Sequence, residues 1–222
     1  MRRAFLFFLL ALAVPAAARA APCLVLGVPG GAGATDEIMA VMREAGKRAG
    51  LCAETVRAPR NRLPVLALDG VILTDAEPSE ADFPVKLPTP VAIFEGTLYW
   101  RPGAPVPTGP QARIGVILGQ EWARRAVAAR GSQPYEVRDN RQLLKMMAAG
   151  RLDGMMLPAI SFRHFLPAYP GLKGCRSEAV APLPVRVLLK SARKDAAEPL
   201  DRALAELQRD GTAEAIFKRY AP

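Results

Sequence analysis

Apolar positions in this chain alternate between short continuous runs and stripes at helical spacing. The run Leu24-Val-Leu-Gly27 predicts a strand over 24–28, leading through Pro29-Gly-Gly-Ala-Gly33 to a helix over 36–49. In that helix Ile38, Val41, Met42, Ala45 and Ala49 form one stripe, and Gly50 is the stop. A strand over 52–57, a short helix after Pro59 and a strand over 70–73 complete a βαβαβ unit. Consecutive parallel strands require such crossovers. Prolines then crowd the chain at 84, 88, 90, 102, 105, 107 and 110 and bracket an extended segment over 91–100. Pro has no place inside a central strand, so the segment reads as a crossing strand flanked by turns.

From Arg113 a second series begins: strand 114–118, helix 120–130, strand 135–137, helix 140–149 and strand 152–157. Asp139 and Gln142 stand in capping-box register, with Gly150 at the stop. The chain returns through Pro182 and Pro184 to a strand over 185–189. At the end, Leu200, Ala203, Leu204 and Leu207 recur at i, i+3, i+4 and i+7. After a break at Asp210-Gly211, Thr212 is positioned to cap a second helix that buries Ile216, Phe217 and Tyr220. The order of elements predicts an α/β architecture of two lobes, the second inserted in the first and joined by two hinge crossings. Residues 21–103 and 185–222 form the first lobe and residues 104–184 the second.

Residues 1–20 open with two arginines, Arg2 and Arg3, followed by an apolar run over 4–14 and a small-residue site at Ala18-Arg19-Ala20, the three-part pattern of a cleaved secretory signal. The run is about 11 residues, against the roughly 20 needed to span a bilayer. Pro22 before Cys23, with no Leu three positions upstream, argues against lipoprotein processing. The mature chain is therefore expected in the periplasm, without membrane insertion and as a monomer. Removing 1–20 lowers the formal charge from +9 to +6, because three Arg and no acid are lost. The remaining bases are scattered, without the aromatic interleaving of a nucleic-acid surface, so a nucleic-acid partner is not expected. Three cysteines in an oxidising compartment allow one disulfide. Cys23 and Cys52 each open one of the first two strands, which places them at matching ends of neighbours, and this pairing, with Cys175 free, is favoured. Three buried unpaired thiols are the alternative.

The closing stretch LDRALAELQRDGTAEAIFKRY over 200–220 resembles the "LxxALxxLxxDGTxxxIxxKY" ending of family 3 periplasmic solute-binding proteins. Four further stretches match that family in order. PRNRLPVLALDGVILTDAE over 59–77 is similar to its "PxxRxxxxLxxGxxDG", shortened by about five residues. LYWRPGAPV over 98–106 is similar to the exit strand of its first lobe, RIGVILGQEW over 113–122 to "KVGVxxGSxY", and AAGRLDGMML over 148–157 to "LxxGRxDAVV". The resemblance implies a type 2 periplasmic-binding fold and capture of a small-molecule ligand, with an ABC importer permease or a sensor as the onward partner.

The departures narrow the ligand. Amino-acid-binding members hold a carboxylate with an Arg in "TxxR", whereas here Thr74 is followed by Asp75-Ala-Glu77-Pro78. Pro158 stands where those members carry the acid that binds the ammonium group. A buried charge without its partner costs several kcal/mol, so a free α-amino acid is not the expected ligand. Ligands of open α/β sheets bind at the carboxyl ends of strands. This places Arg60, Arg62, Thr74 and Asp75 from the first lobe, Glu95 from the crossing strand, and Gln120, Glu121, Trp122, Ala159 and Ser161 from the second lobe in the expected cleft. Arginine forks, the Gln120 amide and the Trp122 face suit a small polar or anionic organic molecule. Each of these residues alone is also explained by a structural role.

The glycine loop over 29–33 lacks the Lys-Ser/Thr of a P-loop and the spacing of GxGxxG, so a tight turn explains it. Met146, Met147, Met155 and Met156 read as core fillers. His164 stands without Cys, Asp or Glu at metal spacing and no GxSxG is present, so neither catalysis, a metal nor a cofactor is expected. Two functional classes follow: ligand capture between hinged lobes, or a periplasmic accessory protein of the same fold, of the kind associated with quinoprotein dehydrogenases.

Overall fold

The computed structural model describes residues 23–30, 33–74 and 82–219. The expected signal segment, Asp75 and Tyr220 lie outside the described residues. The strands are β1 (Leu24–Pro29), β2 (Ala53–Ala58), β3 (Gly70–Thr74), β4 (Val85–Lys86), β5 (Ala92–Trp100), β6 (Ile114–Ile117), β7 (Pro134–Val137), β8 (Gly154–Pro158) and β9 (Arg176–Leu189). The helices are α1 (Thr35–Arg48), α2 (Glu121–Ala128), α3 (Asn140–Ala148), α4 (Ala159–Phe165), α5 (Ala197–Arg209) and α6 (Thr212–Arg219). The short helix after Pro59 is a 3-10 turn, Arg60–Val65.

One sheet carries the strands in the order β2-β1-β3-β9-β5-β8-β6-β7. Its halves are separate βα windings. In the first lobe Leu24, Leu26 and Val28 point to one side, where α1, α5 and α6 pack through Val41, Met42, Leu200, Leu204 and Ala213. The alternate positions face Leu63, Leu68, Val71, Leu73 and Phe83. A methyl at Gly27 would lie 2.7 Å from Leu63 Cδ2, so that face accepts the 3-10 turn only where β1 has no side chain. In the second lobe Val116 and Met156 face α2 while Met155 and Leu157 face α3 and α4, and the end of β5, expected in the first lobe, packs here too, Leu98 and Trp100 toward α2 and Tyr99 toward α4. Met147, Met155 and Met156 are fully buried, as core fillers should be.

Two punctuation signals take their predicted form with small changes. The Asp139 carboxylate accepts from the Gln142 N–H at 2.8 Å, but the Gln142 amide oxygen reaches back to the N–H of Arg138 rather than to that of the cap itself. At α6, Thr212 lies inside the helix, and the Asp210 carboxylate accepts from the Thr212 N–H at 2.9 Å. The Thr212 hydroxyl instead accepts from Arg48 of α1 at 3.0 Å, which ties the terminal helix to the first. Phe217 of α6 meets Phe94 edge to face, with ring centroids 5.9 Å apart.

Cys23 and Cys52 are joined, with Cα atoms 4.5 Å apart, and Cys175 is free and half-buried. Their neighbours Leu24 and Ala53 are register partners in the parallel β1–β2 pair, which is why the geometry allows the bond.

The return strand differs from its predicted span. β9 runs 14 residues rather than the five of 185–189, and Pro182 and Pro184 lie inside it, opposite Glu95 and Ile93 of β5. Up to Pro184, β5 is the partner of β9, and β3 joins only from Val185. Over its first part β9 is thus an edge strand, and a missing N–H there breaks no ladder.

Candidate functional site

The two lobes meet where β5 and β9 cross together. From Ala92 to Gly96 the pair follows one register, Gly96 opposite Ala181, and from Thr97 onward it shifts by one residue, Thr97 opposite Ala179. Val180 is the extra residue of a bulge, a device that bends a strand pair and raises its local twist. Pairing of β5 with β8 starts at the same place, Gly96 opposite Pro158. Gly96 is required there by space: an added Cβ would lie 2.8 Å from Trp122 Cζ3 and 3.2 Å from the Ala181 carbonyl oxygen.

On one side of this crossing, alternate positions of β5 present Glu95, Thr97 and Tyr99 toward α4. Thr97 is buried, and its hydroxyl donates to the Glu95 carbonyl or carboxylate, both at 3.3 Å. Tyr99 stacks on Phe162 of α4 at 4.0 Å between centroids. Burial pushes the Tyr99 phenol above its ordinary value, partly opposed by a hydrogen bond with Thr97. On the other side lie Gln120, at the N-cap position of α2, and Trp122. The Gln120 amide oxygen and the Trp122 indole N–H are buried and have no hydrogen-bond partner among the described residues. Such orphaned groups each cost about 1–3 kcal/mol unless something satisfies them.

Across from β5, the glycine loop of the first lobe reaches the second. Gly33, with φ of +74°, sits so close to α4 that a Cβ on it would be 2.8 Å from Ser161 Cα and 3.2 Å from His164 Cβ. Behind it the Thr35 hydroxyl donates to the Pro29 carbonyl at 3.1 Å and fixes the start of α1. Glu37, in the first turn of α1, is 6% exposed. Burial raises its carboxyl above the ordinary value of 4.5; a hydrogen bond with its own backbone opposes this, Asp36 adds to it, and His164 of the other lobe opposes it.

The ten sequence-derived residues are distributed as follows. Ser161 lies at the interlobe contact, 2% exposed, with Ala159 half-buried at the start of the same helix. Thr74 ends β3, half-buried, opposite Val185 of β9. Glu95 is exposed at the crossing, beside Thr97. Gln120 turns its amide inward, whereas Glu121 pairs with Arg124 at 3.1 Å. Trp122 is only 6% exposed and packs among Leu98, Trp100, Met156 and Leu183, so its ring is core as well as crossing. Arg62 is exposed on the 3-10 turn that Arg60 opens, and the Arg60 side chain lies outside the described residues. His164 shares the interlobe contact with Ser161, Glu37 stands in the α1 turn behind it, and neither was among the ten. A signal for Glu37 existed: it precedes Val41 by four residues and so stands on the buried stripe of α1.

Among the described residues, one group of side chains has metal-ligand proximity, Cys23, Cys52 and Glu54, and its two sulfurs are bonded to each other. No described helix is long and apolar enough to cross a membrane.

Solved structures share this arrangement over nearly the whole chain. An ancestral arginine-binding protein bound to arginine superposes with a TM-score of 0.74 at 14% identity, covering 92% of this chain and 100% of the other. The chain has the two-lobed type 2 periplasmic-binding fold. The arginine-, lysine-, histidine-binding protein ArtJ from Geobacillus stearothermophilus gives 0.70 at 14% identity, over 90% of this chain and 95% of that one. The GluR0 ligand-binding core from Nostoc punctiforme, in complex with glutamate, gives 0.68 at 14%, over 89% and 98%. No protein-family model matches the sequence, and a search of curated proteins finds no match. The type 2 fold therefore comes with a sequence far from the solved structures it resembles.

Proposed function

We propose that this chain is a divergent periplasmic solute-binding protein, exported by its residues 1–20, that captures a small polar or anionic organic ligand between its lobes for an ABC importer or a sensor. One observation carries the reading: the loop at Gly33 and the helix at Ser161 touch across the cleft while β5 and β9 bend together at Gly96 and Val180. This is the geometry of a closed clamp. Ligand contacts are assigned to Arg60, Arg62, Thr74, Asp75, Glu95, Gln120, Glu121, Ala159 and Ser161, with Trp122 as the wall behind Gln120. The orphaned Gln120 oxygen and Trp122 N–H support polar groups on the ligand. Binding rather than catalysis is the role, in keeping with neighbours whose structures hold arginine, glutamine or glutamate.

A thermal-shift screen of the secreted protein tests this, because a ligand at 100 times its Kd adds about 2.7 kcal/mol. Small organic acids should shift the melt strongly and standard amino acids should not. A strong shift with an amino acid overturns the ligand class. A second reading, a periplasmic accessory protein of the same fold acting with a quinoprotein dehydrogenase, draws on the sequence at Thr74 and Pro158, where the amino-acid clamp is absent. Flat melts with every metabolite, together with reconstituted binding to a purified dehydrogenase, would favour it.

A further inference from the structure

The charge of the mature chain is divided unevenly at the crossing. Residues 96–181 carry twelve Lys and Arg against five Asp and Glu, a net of +7, while residues 21–95 and 182–222 carry fifteen against sixteen. All five acids of the basic lobe are occupied within it. Glu121 and Glu136 both hold Arg124, at 3.1 and 3.3 Å. Asp153 accepts from the Arg113 backbone N–H at 2.8 Å, and Glu178 holds Arg130. Asp139 caps α3.

The pairs with Glu121, Glu136 and Glu178 hold bases of α2 and of the turn after it. Most of the surplus falls on the α3 side, with Arg163 of α4 and Arg176 at the start of β9 outside it. Arg141 and Lys145, four residues apart, share the outward face of α3. Arg138 precedes the helix, Arg151 follows it, and Lys173 follows the short 3-10 turn Pro170–Leu172 packed against it. Arg101 lies over the end of α3, its Nη1 2.8 Å from where a Cβ of Gly150 would be. All six are exposed, and none has an ion pair among the described residues. Like charges gathered this way repel one another in the free protein, and an opposed acidic surface would relieve that repulsion while steering association.

We infer that the α3 face of the second lobe is a docking surface for an acidic protein partner. Four of its six bases are arginines, whose planar forks match carboxylates in pairs. The large apolar side chains exposed among the described residues, Val56, Val65, Ile93, Val106, Leu118 and Tyr135, all lie off α3 and the turn packed on it. Apart from Leu118 at its edge, whose N–H bonds the Val137 carbonyl beside Arg138, the face carries none of these large apolar side chains of the kind that membrane-surface elements insert. A protein partner fits this chemistry better than a lipid surface.

The test uses the whole mature protein without cleft ligand and a fluorescein-labelled polyglutamate peptide as probe, read by anisotropy at low salt. Arg141→Glu with Lys145→Glu should weaken binding about tenfold or more, and Arg138→Glu with Lys173→Glu, off the helix, should do the same if the first pair disturbs folding. Lys194→Glu with Arg209→Glu, an equal charge change on exposed positions of the first lobe, should change it less than about twofold. Equal losses from all three pairs would show a net-charge effect and overturn the surface. Absence of peptide binding would overturn it as well. So would tighter α3-dependent binding to phosphatidylglycerol/phosphatidylcholine vesicles than to the peptide, in favour of a membrane.

Discussion

Gly33 of the first lobe rests directly against Ser161 of the second, at a distance that leaves no room for a β-carbon. Gly33→Val should therefore hold the lobes apart, and small-angle scattering should record a larger radius of gyration. Gly50→Val is the control: its φ is also positive, +66°, but nothing lies within 4 Å, so it should cost about 1–2 kcal/mol of stability without changing the shape. If both variants keep the wild-type radius, the contact does not hold the lobes together.

The Cys23–Cys52 bond closes a loop with a sequence separation of 29. Replacing both cysteines with serine should lower stability by roughly 3 kcal/mol, measured by denaturant unfolding, mainly by freeing the unfolded chain. Peptide mapping without reduction should find this crosslink and no linkage to Cys175.

Trp122 separates a packing role from a polar one. Trp122→Ala empties a buried site and should cost about 3–5 kcal/mol. Trp122→Phe retains most of the packing and removes the orphaned N–H, so it should cost far less, and in the ligand-free protein it should be close to neutral. With ligand saturating, the Phe variant should bind more weakly if the indole donates to the ligand, which a thermal-shift titration would record.

Glu37 makes stability depend on pH. Its carboxyl is raised, chiefly by burial, so the folded chain holds the proton more tightly than the unfolded chain does. This contribution is fully present below the ordinary value of 4.5 and is lost as pH rises through the raised value. Glu37→Gln should therefore melt higher than wild type at pH 7, with the gap closing below pH 4.5. Asp210 acts in the opposite sense: hydrogen bonds from the Thr212 side chain and backbone, and then from Arg48, hold it at about 2. Its contribution is present above 3.8 and fades as pH falls toward about 2, and Asp210→Asn should remove that acid-side slope.

The windings were legible in the sequence wherever one period ran long enough. The stripes of α1 and α5, the strands at 24, 70 and 114 and the stop at Gly150 all rest on signals within a few residues of each other. β9 was less legible, because Pro182 and Pro184 argue locally against a strand, and only its edge position next to β5 makes them harmless. The interlobe contact was harder still. That Gly33 meets Ser161 and His164 depends on how far the second lobe swings about Gly96, and this follows from a bulge in the pairing of two strands distant in sequence. Of the expected cleft residues, Glu121 is partly drawn away by Arg124, a neighbour three residues on that reading by strand ends alone does not weigh.

The crossing at Gly96 and Val180 also determines what kind of joint this is. β5 and β9 pass from one lobe to the other hydrogen-bonded to each other, so no free loop lies between the halves. Opening must then be a torsion of a two-stranded ribbon, resisted in proportion to its angle, rather than a swing on a slack tether. Such a joint returns by itself once the load across the cleft is released. The same ladder bonds persist in both positions, so the amides of Thr97 to Trp100 should exchange with solvent equally slowly whether the cleft is open or shut.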